Sequence, residues 1–316
     1  MKRISTKSMT HKEWLEKRKY SIGASEAGSV LGLNPYQTAV DVYLSKVGEG
    51  LPVDDNLAMW LGRKMEPVIR ERFELETGLK VRNDHKIRID QEHDFLTTNL
   101  DGMVVGEKVP VEYKTLSRWG GDIPNHYFAQ IQHQMMVTNA PYMYFVALLI
   151  GFQKQIIIEK YERNDEFIVK LRQTEVEFWV KNVERKTPPA PKTYDDTVNI
   201  YAKSIEGSVV NISIEEDKYV FDWVNQLMDL RRNKQENDGL IKGTKMALMN
   251  FMGNNESIQF GDNELISWAQ SKPRKKFNTA AFKKENPELY EKYSVESPGS
   301  RRFLVKSKTK LLNKGD

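Results

Sequence analysis

Asp101, Glu112 and Lys114, in the stretch TTNLDGMVVGEKVPVEYKT, bring two carboxylates and an ammonium close together along the chain. Glu112 and Lys114 are two residues apart. On a β-strand, where side chains alternate, that spacing puts both on one face. A carboxylate beside an ammonium is out of place on a face that should bury apolar groups. Asp101 is expected at the start of the neighbouring strand, where a hairpin closes a cluster of one cation and two anions. Two carboxylates plus a backbone carbonyl, here that of Tyr113, make an oxygen-rich site suited to Mg²⁺, with Mn²⁺ as a substitute. A lysine at its edge orients an attacking water and stabilises charge that develops on a phosphate.

The elements that must position these groups follow from periodicity and punctuation. Thr10 and Ser25 are expected to cap two short helices, and Thr38 a third that ends at Gly48. Asn56 to Thr77 reads as a long amphipathic helix, with Leu57, Trp60, Leu61, Met65, Ile69 and Phe73 at helical spacing and Gly78 as its stop. The period then changes to short β-rich segments at Leu79–Arg82, Lys86–Ile89, Phe95–Thr98, Gly102–Val105 and Val109–Lys114. Pro124 opens a helix through Val137 that carries Gln130, Gln132 and Gln134 on a polar face. Tyr142–Ile150 and Gln155–Tyr161 form a hairpin around Gly151-Phe152, and Asn164 caps a helix to about Arg185. Residues 1–190 thus form an α/β core, a curved mixed sheet flanked by helices. Pro188 to Pro191 mark a boundary, and residues 191–316 form a small α+β extension. That extension is expected to hold a helix over Glu215–Asn237 followed by a linker, strands near Ser257–Phe260 and Glu264–Ala269, a helix near Thr279–Glu285 and a last strand at Arg302–Val305.

Composition narrows the chemistry. The chain has no cysteine, which removes disulfides, zinc–thiolate sites, iron–sulfur clusters and thiol nucleophiles together. No apolar run reaches the ~20 residues needed to cross a bilayer, and no apolar segment follows the basic start as in a secretory signal. A cytoplasmic protein is expected, in a host cell if the gene is a phage's. The net charge is only +4, but Lys2–Lys19, Lys272–Lys276 and Arg301–Lys314 are basic clusters of the kind a polyphosphate attracts. Trp14, Trp60, Trp119 and Trp179 read as packing residues, and Pro35-Tyr36 as a turn.

The D-x(10)-E-x-K spacing is a relaxed form of the PD-(D/E)xK nuclease signature. In order, SIGASEAGSVLGLNPYQTAVDVYLSKVG, LGRKMEPVIRERFELETG, the TTNLDG and VEYKT pair, and YFAQIQHQMMVTN resemble the YqaJ-type phage recombinase family, related to lambda exonuclease. The likeness covers roughly residues 10 to 185, and KKFNTAAFKKENPELYEKY with RRFLVK is similar to the tails of longer members. It implies a restriction-endonuclease-like core, with Asp101 and Glu112 as metal-binding carboxylates and Lys114 as the catalytic lysine. It further implies that Glu66 serves a second metal or its water, that Gln130 lines the site, and that Arg18 and Ser25 bind a 5′-phosphate. The implied activity is a Mg²⁺-dependent exonuclease on double-stranded DNA ends. It would digest the 5′ strand and leave 3′ single-stranded tails for a single-strand annealing protein, as a homo-oligomer. An endonuclease or an opposite-polarity nuclease on the same fold, and a non-catalytic DNA-end binding protein, stay open as alternatives.

Overall fold

Alternation in the β-rich stretches and 3.6-residue spacing in the helical ones resolve, in a computed structural model, into a mixed sheet with helices on both faces. The structure describes residues 2–50, 56–151, 155–213, 215–260, 263–296 and 299–305. The chain divides into two compact units, Met1–Tyr201 and Ala202–Asp316. In order, the first unit contains β1 (Arg3–Ser5), α1 (His11–Arg18), β2 (Ile22–Gly23), α2 (Ala24–Val30), α3 (Ala39–Val47), α4 (Leu57–Thr77), β3 (Val81–Ile89), β4 (Leu96–Val104), β5 (Pro110–Leu116), α5 (Asn125–Thr138), β6 (Tyr142–Leu149), β7 (Gln155–Glu162), α6 (Asp165–Phe178) and α7 (Tyr194–Ile200). The strands run in the order β1-β3-β4-β5-β6-β7, with β2 pairing β4. The β5–β6 and β2–β4 pairings are parallel and the others antiparallel.

Local chemistry sets the helix ends. The Thr10, Thr38, Asn56 and Asn164 side chains each accept from a backbone N–H of the first turn. Gly48 and Gly78 close α3 and α4 in the left-handed conformation. Helix α4 continues through Pro67. Its Ile69 and Phe73 pack with Val111, Tyr113 and Val146 on one sheet face, while Trp60, read from its spacing as packing, is 47% exposed. On the other face Ile131 and Met135 of α5 pack with Met143, Phe145 and Ala147. Alternation along β6 thus splits the core between two helices, and each fully buried large side chain contributes ~1.5–3 kcal/mol.

Several segments differ from the sequence-based expectation. Leu79–Arg82 and Lys86–Ile89 belong to one bulged strand, with register shifts between Arg82 and Asp84 and between Asp84 and Arg88. Phe95–Thr98 and Gly102–Val105 likewise fall on one strand, so Asp101 lies inside β4 rather than at a strand start. The expected break after Thr98, at polar Asn99, is absent because partners brought by other elements keep the chain extended there. Ser25 does not cap α2. Ile22 and Gly23 pair with Leu96 and Thr97, so Gly23 is the cap, and its N–H donates to Glu26 (2.9 Å). The end of α6 widens into a π-turn at Trp179–Glu184, and α7 is an element that the boundary at Pro191 left out. Asp196 of α7 accepts from Thr38 Oγ1 (2.6 Å), tying α7 to the start of α3.

The second unit contains α8 (Lys218–Met252), the hairpin β8 (Ser257–Phe260) and β9 (Asn263–Ser267), α9 (Thr279–Glu285) and α10 (Pro287–Tyr293). The expected linker after Asn237 is helix instead. Gly239 and Gly243 each cost ~1 kcal/mol there, and the good helix formers around them outweigh that. Residues 301–305 form no strand. The rest of the basic tail read at Arg301–Lys314, and Phe152 of the expected turn, lie outside the described residues. Among the described residues no helix is long and apolar enough to cross a membrane.

Candidate active site

Strands β4 and β5 pair at Gly102–Val111 and Met103–Pro110, and continuing that register sets Asp101 opposite Glu112. Past this point the ladder is not continued. The Tyr113 N–H donates to Asp101 Oδ2 (2.8 Å), so a side chain takes the place of a strand partner. Gly102 permits the close approach, because a Cβ there would collide with the Val81 side chain and sit 3.2 Å from the Tyr113 hydroxyl. Glu112 is buried, and Lys114 Nζ donates to its Oε1. The trio picked out by spacing is therefore assembled on one face.

Helix α5 closes the gap between the diverging strands. Gln130 Nε2 donates to Glu112 Oε1 (2.6 Å) and Gln134 Nε2 to Glu112 Oε2 (2.6 Å). Gln134 is absent from the sequence-based set; its signal was the four-residue spacing from Gln130, one helical turn on the same face. The supposed polar face of α5 is buried: Gln130, Gln132, His133 and Gln134 are all within the core. Gln132 donates to the Glu162 carbonyl (3.0 Å) and accepts from the Asn164 N–H (2.9 Å). His133 spans Glu175 Oε1 through Nδ1 (2.8 Å) and the Thr97 carbonyl through Nε2 (3.0 Å). A carbonyl only accepts, so Nε2 carries a proton. Burial opposes charging His133, but Glu175 and the carbonyl outweigh it and raise its pKa.

Charge is concentrated here. Burial, then Glu112, push the Asp101 carboxyl well above the usual carboxylate range. Glu66 of α4, half-buried, is raised by burial and by Glu112, with Lys114 and Arg63 opposing. Burial would lower Lys114, but Glu112 and Asp101 raise it above the ordinary lysine value. Lys114 is therefore a cation at neutral pH, and its Nζ also lies 5.2 Å from the Tyr127 ring centroid. Among the described residues, no three acidic or histidine side chains stand close enough together to enclose an ion as they are. Both Glu112 oxygens are held by donors.

Arg18 and Ser25 form a second cluster. Arg18 Nη2 donates to Ser25 Oγ (3.0 Å) and lies 3.3 Å from Glu26 Oε1, and its guanidinium sits over Trp14 at 4.8 Å. Glu26 is buried and paired with Lys46 (2.8 Å), whose ammonium also donates to the Arg18 carbonyl (2.8 Å). Burial would raise the Glu26 carboxyl, but Lys46 and Arg18 overcome it and hold the group low. Two cations against one carboxylate leave the cluster one net positive charge. Glu26 and Lys46, separated by twenty residues, carried no sequence signal as a pair. Helix α2 packs on the start of α5, where a Cβ on Gly28 would lie 2.8 Å from His126 Cβ. From there an aromatic series leads towards Lys114: Tyr36 to His126 (5.9 Å) and His126 to Tyr127 (4.1 Å). Tyr36 itself is 85% exposed.

A model of the YqaJ-like viral recombinase domain matches residues 13–141, which hold Arg18, Ser25, Glu66, the trio and both glutamines. Protein YqaJ of Bacillus subtilis (strain 168) is 30% identical over 318 residues, covering 94% of this chain and 95% of its own length. The chain belongs to the YqaJ-like family. Protein R354 of Acanthamoeba polyphaga mimivirus is 22% identical over 92% of this chain and 52% of its own length. Among solved structures, the alkaline exonuclease of Laribacter hongkongensis is similar to this YqaJ-like chain over 56% of its length and 94% of its own, at 22% identity and a TM-score of 0.48. A phage-related exonuclease of Haemophilus somnus 129PT is similar over 52% of this chain and 96% of its own, at 14% identity and a TM-score of 0.40.

Proposed function

We propose that this protein is a divalent-metal-dependent exonuclease that digests the 5′ strand of double-stranded DNA ends and leaves 3′ single-stranded tails. The observation that carries the reading is the Asp101–Glu112–Lys114 cluster on diverging strands, held by Gln130 and faced by Glu66. Family membership supports it, since a viral recombinase requires processed ends.

The donor set fits a hard cation. Glu66, Asp101 and Glu112 are hard oxygen donors; burial and then the Glu112 charge raise the first two, and a positive ion among them relieves that repulsion. With the Tyr113 carbonyl they would hold Mg²⁺ or Mn²⁺, which supplies Lewis-acid activation of water and phosphate when bound. Ligation requires Glu112 to give up one of its present donors. Lys114 stays protonated, so its part is to orient the nucleophile and stabilise charge on the phosphate, not to abstract a proton. Gln130 and Gln134 keep the Glu112 carboxylate oriented. Arg18 and Ser25 offer a 5′-phosphate a guanidinium and a hydroxyl beside spare positive charge. The 3′ single-stranded tail left behind would pass to a single-strand annealing protein.

Digestion of linear duplexes that differ only in end chemistry tests this reading. Wild type with Mg²⁺ should release acid-soluble nucleotides from 5′-phosphorylated ends and act poorly on 5′-hydroxyl ends. Lys114→Ala and Asp101→Ala should each lose on the order of 10²–10³-fold in rate while still binding ends. Cutting of closed circular DNA points to an endonuclease. End binding without release of nucleotides, in wild type with either metal, points to a non-catalytic end-binding protein.

A further inference from the structure

Positive charge in the second unit gathers in one short stretch. From Lys272 to Lys284 the sequence carries six basic side chains, Lys272, Arg274, Lys275, Lys276, Lys283 and Lys284, and no acidic one. That stretch alone exceeds the net charge of the whole chain, +4. All six are exposed, and among the described residues none of them stands in an ion pair. Lys283 and Lys284 have a local reason, because they sit in the last turn of α9, where the helix dipole favours a cation. The four from Lys272 to Lys276 have none, since Trp268 to Asn278 forms neither helix nor strand. Like charges this close repel one another, and a polyanion is what relieves them.

Aromatic rings are interleaved with these charges. Phe277 follows Lys276 directly and is 66% exposed, with its ring 5.0 Å from that of Phe282 on α9. Lys283 Nζ lies 4.5 Å from the ring centroid of Tyr290 on α10, and Lys292 Nζ 5.5 Å from that of Tyr293, itself 75% exposed. Asn286 alone joins α9 to α10, so the rings and ammonium groups of both helices belong to one short helical hairpin. A solvated lysine run explains the charge and leaves the exposed rings unexplained. An exposed ring beside ammonium groups offers a stacking face to a base and a counter-charge to its phosphate at once. A duplex would use the charges only, because its bases are already stacked on each other. Rings and charges together therefore select an unpaired strand.

We propose that the segment Lys272–Tyr293 is a binding site for single-stranded nucleic acid, with Lys272, Arg274, Lys275 and Lys276 on the phosphates and Phe277 and Tyr293 stacked on bases. The site lies wholly within the second unit and does not depend on the catalytic reading.

A labelled oligo-dT of ~20 nucleotides, titrated with the full chain in EDTA and followed by fluorescence anisotropy, should bind more tightly than an abasic strand of equal length. Lys275→Gln together with Lys276→Gln should lessen the slope of log affinity against log salt by about 1.4, at ~0.7 for each phosphate contact on a single strand. Phe277→Ala should weaken oligo-dT binding on the order of tenfold, with the salt slope unchanged and no effect on the abasic strand. Phe277→Tyr should retain the wild-type affinity. Oligo-U shares the phosphates and unpaired bases and should show the same losses; whichever of the two binds more tightly identifies the sugar. The substituted positions are exposed, so the circular dichroism of each variant should match wild type. Oligo-dT binding indifferent to the paired lysine substitution or to Phe277→Ala would overturn the proposal. So would an equal loss on the abasic strand in Phe277→Ala, because the ring would then not be reading bases. Nuclease assays of the same variants on duplex ends read the catalytic proposal separately.

Discussion

At Lys114 burial and two carboxylates pull in opposite directions, and the carboxylates prevail. The converse holds at Asp101, where burial and Glu112 both oppose ionisation. Its folded pKa lies above its unfolded one, so between the two the native state binds the extra proton and stability falls as pH climbs through that window. Asp101→Asn should therefore raise Tm at pH 8 and leave it little changed at pH 4, read by differential scanning fluorimetry. Mg²⁺ should raise the Tm of wild type, because it binds the native state, and should not do so in Asp101→Asn. Equal Tm for both proteins at pH 8 would remove the argument. Gln134→Ala frees one Glu112 oxygen from its donor and should lower kcat by on the order of tenfold or more, with KM for DNA ends unchanged. A rise in KM alone would mean that Gln134 serves binding and not the orientation of Glu112.

Among the elements, the join between α5, α6 and β4 rests on a buried charge pair. His133 and Glu175 are both fully buried, and His133 also supports the Thr97 carbonyl where β4 pairs β2. Removing one partner of such a pair costs roughly 3–5 kcal/mol, since the other charge stays buried alone. The folded pKa of His133 is raised, so the pair's contribution is fully present below the unfolded value of about 6.5 and is lost as pH rises through the folded value. Chemical denaturation of wild type and His133→Asn should show the largest gap near pH 5.5 and a smaller one at pH 9. A gap independent of pH would mean that His133 acts through shape and not charge.

For the whole molecule, every hydrophobic cluster among the described residues lies within residues 1–201, and so do all the candidate site residues. A chain ending at Tyr201 should fold and keep Mg²⁺-dependent release of nucleotides, read by circular dichroism and by acid-soluble product. Failure of that fragment to fold would show that the second unit contributes to the stability of the first.

Much of this was legible in short-range pattern. The caps at Thr10, Thr38, Asn56 and Asn164, the glycine stops at Gly48 and Gly78, and the trio itself depend on residues within a few turns or one hairpin of each other. Local sterics and strand alternation suffice to read them. Asp101 was read as a strand start because the expected segments stop at Thr98 and resume at Gly102, with the polar Asn99 in the gap. Only tertiary partners reveal a strand there: Ser21, His133, Gln134 and the Lys86 carbonyl. The same holds for Gln134 on Glu112, Lys46 on Glu26 and Glu175 on His133. In each case a buried polar group needs a partner, and which distant residue supplies it is settled by how the helices pack on the sheet, not by spacing along the chain. The trio, then, was determined by sequence, and the charges and donors that make it a site were decided by the fold.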